Sequence, residues 1–360
     1  MKGISTRKDE HLEIALRGDV EGPLSTWLEC ARFVHNALPE ISIEDVDTSV
    51  EFLGRSLRAP LLIEAITGGS LKAKEVNERL ARIAQELGIA IEVGSQRPML
   101  LDPSLAESYK VVRRIAKDVP VIANIGGVQL AKIGVEGARK LAEEIEADAI
   151  SIHLNPVHEI VQVEGDRDFR GVLDSIRSAV RELGLPVIVK EVGFGISREV
   201  AKLLSECGVH AIDVAGAGGT NWVRIEMLRR YSEGSDSIYF ELADWGIPTA
   251  ASIIEARSGA PSTIIIASGG IRRGVDIAVS IALGADIVGI ARPALLDAVC
   301  GTRNVESMIR TLRSVMVLLG ASSIKELASA PLVIMDKLAQ WVCARKLGLR
   351  NKNAYVPCYQ

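Results

Sequence analysis

Eight short apolar runs punctuate the chain, at 60–66, 89–93, 119–125, 149–154, 186–192, 211–215, 263–267 and 286–290. They read as continuous hydrophobic stretches rather than as alternating ones, the pattern of parallel strands buried on both faces. Between them lie segments with helical periodicity. Val76, Leu80, Ile83 and Leu87 form one stripe, with Gly88 as its stop signal. Val172, Ile176, Val180 and Leu183 form another, closed by Gly184 and Pro186. Ser197 is placed to cap a helix carrying Val200, Leu203 and Leu204, and Gly208 lies beyond its end. Strand–helix alternation predicts a parallel sheet, and eight such units predict an α/β fold closed into a (β/α)8, or TIM, barrel.

Three segments fall outside the repeat. Residues 1–59 are an N-terminal extension, 221–262 an unusually long insertion after the sixth strand, and 293–360 a C-terminal part expected to be mainly helical. No Ser-, Gly- or Pro-rich linker divides the chain, so 1–360 is expected to be a single domain with its barrel strands within 60–292. Long excursions at the C-terminal face of a barrel commonly cover the site.

Nearly every apolar run ends in a group able to hold a ligand, and that is where such a barrel builds its active site. Ser268-Gly269-Gly270-Ile271-Arg272 leaves the seventh run, and Ala291-Arg292 leaves the eighth. Glycines let backbone N–H groups approach a phosphate, and the loops after strands seven and eight are the usual phosphate site of this fold. A tight turn without a ligand is the alternative. Lys190 ends the fifth run, where a buried ammonium needs an anionic partner. That partner is either an anionic ring system or a carboxylate of the protein, such as Glu191. Thr67, Ser95, Asn124 and Thr220 are strand-end groups of the kind that orient a ring or cap the barrel.

A second anion site is suggested by Ser95-Gln96-Arg97, a hydroxyl, an amide and a guanidinium suited to diphosphate oxygens. Arg7, Lys8 and His11 add positive charge at the N-terminus, or else form a solvated tail. After the fourth run, His153 and Asn155 share one side by alternation, and His158 and Glu159 follow. Glu159 suits Mg²⁺, which is often held by one carboxylate plus phosphate oxygens and water. His158 can move protons near neutral pH, or serve as a structural loop residue.

Composition removes some classes. A net charge of −4 gives no reason to expect nucleic-acid binding, and no apolar stretch approaches a membrane span. The 5 cysteines are scattered and never paired as C-x-x-C, so neither a disulfide framework nor a zinc site is expected. The opening residues lack a signal-peptide core, so a soluble cytoplasmic protein is expected.

Taken together, Arg7-Lys8-x-x-His11, Thr67-Gly68-Gly69, Gly94-Ser95-Gln96-Arg97, His153-x-Asn155 with Glu159, Lys190, Gly218-Gly219-Thr220-x-Trp222 and Ser268-Gly269-Gly270-Ile271-Arg272 resemble the type 2, FMN-dependent isopentenyl diphosphate isomerases. The resemblance runs in order from residue 7 to about residue 292. It implies reversible 1,3-allylic isomerisation of isopentenyl diphosphate to dimethylallyl diphosphate, with reduced FMN, Mg²⁺ and NADPH as reductant, in a homotetramer or larger homo-oligomer. It further implies that Arg7, Lys8, His11, Ser95, Gln96, Arg97, His153 and Asn155 hold the diphosphate, that Glu159 holds Mg²⁺, and that Trp222 walls the hydrocarbon pocket. Ala65, Ile66, Thr67, Gly68, Ser95, Asn124, Lys190, Gly219, Thr220, Gly269, Gly270, Ile271, Ala291 and Arg292 are implied to hold FMN, and His153, His158 and Glu159 to serve catalysis. The chain departs at His158, where the family usually has glutamine, and at Asn221, commonly serine. An FMN oxidoreductase of the hydroxy-acid oxidase or IMP dehydrogenase type, or a non-catalytic flavin-binding relative, are the competing readings.

Overall fold

A computed structural model describes residues 4–17, 19–230 and 237–358. The eight strands β1 (Leu61–Ile63), β2 (Ala90–Glu92), β3 (Val121–Gly126), β4 (Ala149–His153), β5 (Val187–Lys190), β6 (Ala211–Asp213), β7 (Ile264–Ala267) and β8 (Ile287–Ile290) all pair in parallel and close on themselves. β8 meets β1 with Gly289 beside Leu62, which completes the ring. Each strand falls inside one of the eight apolar runs, except that β3 continues one residue past 125 to Gly126. The helix stripes also take their expected form: Leu71–Leu87 ends at Gly88, whose φ of 65° suits glycine, and Ser197 accepts a hydrogen bond from Val200 N.

The barrel interior is layered. Leu62, Ala90, Ile122, Ala149, Ile188, Ala211, Ile266 and Ile287, one from each strand, form an apolar plug. Beneath it, the antiparallel hairpin Val50–Phe52 with Arg55–Leu57 inserts Phe52 and Leu57 and closes the lower end of the barrel. The barrel therefore opens at one end only, the C-terminal ends of its strands.

One expectation changes. The long connection after β6 is shorter than 221–262, because Thr249–Gly259 is an almost wholly buried helix packed against Arg198–Glu206 and β7. It belongs to the barrel's outer ring. Only Trp222–Arg229 and Ser237–Ala243 are extra helices there, and 231–236 lie outside the described residues. The C-terminal part is mainly helical, as expected, and adds two short strands: Leu332–Ile334 pairs antiparallel with Ala31–Phe33 and parallel with Ala354–Tyr355. This small sheet ties the N-terminal extension to the C-terminal part.

The cysteines also depart from expectation. Cys343 and Cys358 are joined in a disulfide with Cα atoms 5.6 Å apart, holding the C-terminal segment to helix Asp336–Arg345. Scattered spacing hid the pair, since 15 residues separate the two in sequence without a recognisable motif. Closing a loop of that length stabilises a protein by up to about 3 kcal/mol. Cys358→Ser is expected to lower the thermal midpoint by a few degrees with unchanged turnover, and wild type in reductant should match it by scanning calorimetry.

Candidate functional site

One cavity of 240 Å³ opens at the C-terminal ends of the strands, and groups from all eight β-to-α connections reach it. Its roof is helix α1 (Ile4–Arg17), whose Arg7, Lys8 and His11 line the cavity. The N-terminal charge cluster is thus a helix rather than a solvated tail. Leu12 and Ile14 anchor it, Ile14 against Val20 and Ile225. Lys72 pairs with Glu13 at 2.8 Å, and Asp9 accepts from Ser70 Oγ at 2.5 Å.

At one wall, Arg7, Lys8, Arg97 and Ser95 stand together. Burial, reinforced by Arg7 and Arg97, lowers the Lys8 ammonium to about 8. Lys8 therefore carries its charge below about pH 8 and loses it above in the ligand-free protein. Binding of an anion to this wall should weaken above that pH, read as a fall in kcat/KM, and Lys8→Arg should abolish the fall. Gln96, expected beside Arg97, is instead wholly buried: it donates to Leu141 O at 2.8 Å and accepts from Asn124 N at 3.0 Å. It braces β3 and does not line the cavity.

From the ends of β7 and β8, Ser268, Gly269, Gly270, Ile271, Arg272, Ala291 and Arg292 also line the cavity. Gly269 has φ of 99°, and a Cβ there would sit 2.1 Å from Gly216 O, so only glycine allows this approach. Arg272 Nη2 rests on Glu21 Oε1 at 2.5 Å and Arg292 Nη1 lies 3.6 Å from it, so one carboxylate from the extension holds both guanidiniums. Ala65, Ile66 and Thr220 also line the cavity, whereas Thr67, Gly68 and Gly219 lie behind it. Gly68 packs so closely on Tyr109 that a Cβ would be 2.1 Å from its ring, and Gly219 abuts Gly270. Those three shape the loops from behind.

The cavity floor is the next side-chain layer of the barrel, two residues on from the apolar plug in each strand: Glu64, Glu92, Asn124, Ser151, Lys190, Asp213, Ser268 and Gly289. The odd strands supply Glu64, Asn124, Lys190 and Ser268, and all four line the cavity. Lys190 Nζ lies 3.2 Å from both Glu64 Oε2 and Asp213 Oδ2 and donates to Glu191 O at 3.0 Å. Its partners are thus carboxylates of the protein, but not that of Glu191, which accepts from the N–H groups of Val192, Gly193 and Phe194. Burial opposes charge on Lys190, but Asp213, Glu64 and Glu92 outweigh it and hold the ammonium well above its usual range. Asn124 donates to Glu92 and accepts from His153 Nδ1 at 2.9 Å. Burial, with Lys190 nearby, lowers His153 to about 3, so the ring is neutral and its Nε2 is an acceptor.

Around the fourth strand end, α2 (Pro156–Val161) carries His158 and Glu159 into the cavity. Glu159 is buried, accepting from Asn155 Nδ2 at 3.0 Å and from Asp166 N at 2.6 Å. Both donors are neutral, and each carboxylate oxygen keeps a spare lone pair in a cavity that Arg7, Lys8 and Arg97 also line. A hard cation shared with phosphate oxygens fits that donor set. His158 stacks on Trp222 with ring centroids 4.7 Å apart. His158 Nε2 and His11 Nε2 meet Glu226 Oε1, from helix α3 (Trp222–Arg229), at 3.2 and 2.8 Å. Burial lowers His11 to about 4, so it brings a hydrogen bond to Glu226 rather than the positive charge expected of it. Although burial opposes it, the two imidazoles hold Glu226 well below the usual carboxylate range.

The sequence reading missed Glu64, Glu92, Asp213, Glu226 and Glu21. Glu64, Glu92 and Asp213 had a signal: a carboxylate inside an apolar barrel strand is costly and therefore informative.

A family model described as FMN-dependent dehydrogenase matches residues 140–334. In overall structure the chain is similar to a lactate oxidase of Pediococcus acidilactici, with a TM-score of 0.66, 16% identity and 93% and 96% of the two chains covered. That likeness speaks for the fold alone. Fold and family model together define an FMN-dependent barrel enzyme. Curated proteins named isopentenyl-diphosphate delta-isomerase are much nearer in sequence. That of Metallosphaera sedula is 45% identical over 96% of this chain and 97% of its own, and that of Methanosarcina mazei 46% identical over 96% of each. The chain belongs to the isopentenyl-diphosphate delta-isomerase family.

Proposed function

We propose that the protein interconverts isopentenyl and dimethylallyl diphosphate, using reduced FMN and Mg²⁺, with NADPH as the reductant that primes the flavin. The observation that carries this reading is one cavity lined by two sets of cations: Arg7, Lys8 and Arg97 from α1 and the β2 connection, Arg272 and Arg292 from the β7 and β8 connections. One cavity with Lys190 on its floor thus offers cations to two anionic ligands. When bound, the reduced flavin supplies an electron-rich face and an exchangeable proton.

The chain's own residues do the rest. Arg7, Lys8 and Arg97 grip the diphosphate end, and Glu159 offers the metal a single anionic oxygen ligand. Trp222 and His158 present a stacked apolar wall for the hydrocarbon part. The α1 roof limits access of water, which protects a positive charge developing at the alkene. His158 is the chain's own group placed to exchange a proton: its Nε2 is hydrogen-bonded to the ionised Glu226, so the exchange with a ligand would pass through Nδ1.

Incubation of the FMN-loaded, reduced protein with isopentenyl diphosphate and Mg²⁺ in D₂O should give dimethylallyl diphosphate and deuterium in both isomers, followed by NMR. Absence of exchange under these conditions overturns the reading. We further propose a cytoplasmic homo-oligomer, a homotetramer or larger, which light scattering on the eluted protein can test. Among the described residues no helix is long and apolar enough to cross a membrane.

A further inference from the structure

The floor layer contains more acid than its one base can balance. Glu64, Glu92 and Asp213 have carboxylate oxygens within 4.8 Å of one another, all three are buried, and Lys190 is the one cation of the layer. A metal ion is not needed to explain them, because the Lys190 ammonium already stands 3.2 Å from Glu64 and Asp213. Ionising all three would leave two negative charges uncompensated in a dry interior, which is prohibitive. The remaining members, Asn124, Ser151, Ser268 and Gly289, are neutral.

Hydrogen bonding shows the same deficit. Asp213 Oδ1 accepts from Ser268 at 2.6 Å, and Glu92 accepts from Asn124. Both oxygens of Glu64, and Oδ2 of Asp213, have no hydrogen-bond partner, the Lys190 contacts being ionic but poorly directed. Gly289 gives Glu64 its space, since a Cβ there would lie 1.8 Å from Oε1. A proton between Glu64 and Asp213 supplies both the missing donor and the missing charge. Burial, with Asp213 beside it, lifts Glu64 well above the carboxylate range, and burial lifts Glu92 to about 7.

We propose that Glu64, Glu92 and Asp213 form a buried proton store for the cofactor, partly protonated in the flavin-free protein and gaining one more proton when the ring system over Lys190 becomes anionic. The second half rests on the FMN reading above. Two-electron reduction to the anionic flavin consumes one solvent proton, bound at N5. Lys190 then becomes counter-ion to the flavin and is shared away from Glu64 and Asp213. One of those carboxylates takes a second proton from solvent, forming an O–H bond, and returns it on reoxidation. Outside the layer, the ionisable neighbours are His153, neutral and joined through Asn124, and Glu191, whose carboxylate is turned onto backbone N–H groups.

Infrared spectroscopy of the flavin-free protein at neutral pH tests the first half without any variant. A protonated-carboxyl C=O stretch that shifts in D₂O is expected, and its absence overturns the store. Glu92→Gln, if folded, should retain a band from the Glu64–Asp213 pair. The FMN-loaded protein is then reduced electrochemically through a mediator in weakly buffered dye solution. Uptake clearly exceeding the N5 proton is expected, and Asp213→Asn should reduce it toward one. Uptake of the N5 proton alone overturns the coupling. Failure of the protein to bind FMN overturns the cofactor reading instead, while the infrared band still decides the store.

Discussion

Lys190→Met is expected to yield protein purified nearly free of FMN, with the Kd for added FMN raised about 100-fold, the ~3 kcal/mol typical of losing one charged partner of a buried contact. The ammonium is the one cation on the cavity floor, 3.2 Å from two carboxylates. Without it, nothing in the floor attracts an anionic ring, and Glu64 and Asp213 repel one. Breaking a buried pair by removing one member also destabilises, commonly by about 3–5 kcal/mol. Here the cost should fall below that range because the stranded acids can take up protons. Lys190→Met combined with Glu64→Gln separates the effects: stability should recover in urea unfolding while flavin binding does not. A single variant that keeps its full flavin content would remove Lys190 from the cofactor site.

Glu159→Gln should leave FMN bound yet cut turnover by at least about 100-fold, with Mg²⁺ no longer stimulating, since a neutral amide is a poor Mg²⁺ ligand. The substitution has a second consequence. Both Glu159 oxygens face donors, Asn155 Nδ2 and Asp166 N, so the new NH₂ must oppose one of them. Losing that hydrogen bond costs about 1–3 kcal/mol and loosens the 159–166 turn. The two effects are distinguished by titrating Mg²⁺ and Mn²⁺: a loosened turn shifts the metal dependence, whereas loss of the ligand flattens it. Unchanged kinetics would exclude Glu159 from the site.

Much of this architecture was legible in the residues, and the reasons differ by region. Barrel strands announced themselves because burial on both faces forces continuous apolar runs, and helices such as Leu71–Leu87 because glycine and serine mark their ends. The small sheet joining Ala31–Phe33 to Leu332–Ile334 was illegible, since three-residue strands from opposite ends of the chain carry no periodicity. Helix α1 looked like a solvated tail by charge, and only the cavity gives its Arg7 and Lys8 a place to point. Cavity-facing Ser95 and Arg97 were legible and Gln96 was not: on a tight turn, neighbouring side chains diverge, and the amide went to brace β3. His11 and His153 were named by type, but burial made both neutral, which composition cannot foretell.

Because the hairpin carrying Phe52 and Leu57 stoppers the lower end, whatever enters the barrel comes through the mouth that the N-terminal helix helps to line. Occupants of such a blind well must follow a fixed order, the deeper one arriving first and leaving last. With FMN over Lys190 as proposed, the flavin would be the long-term tenant and the diphosphate the visitor, and substrate in place should slow flavin escape.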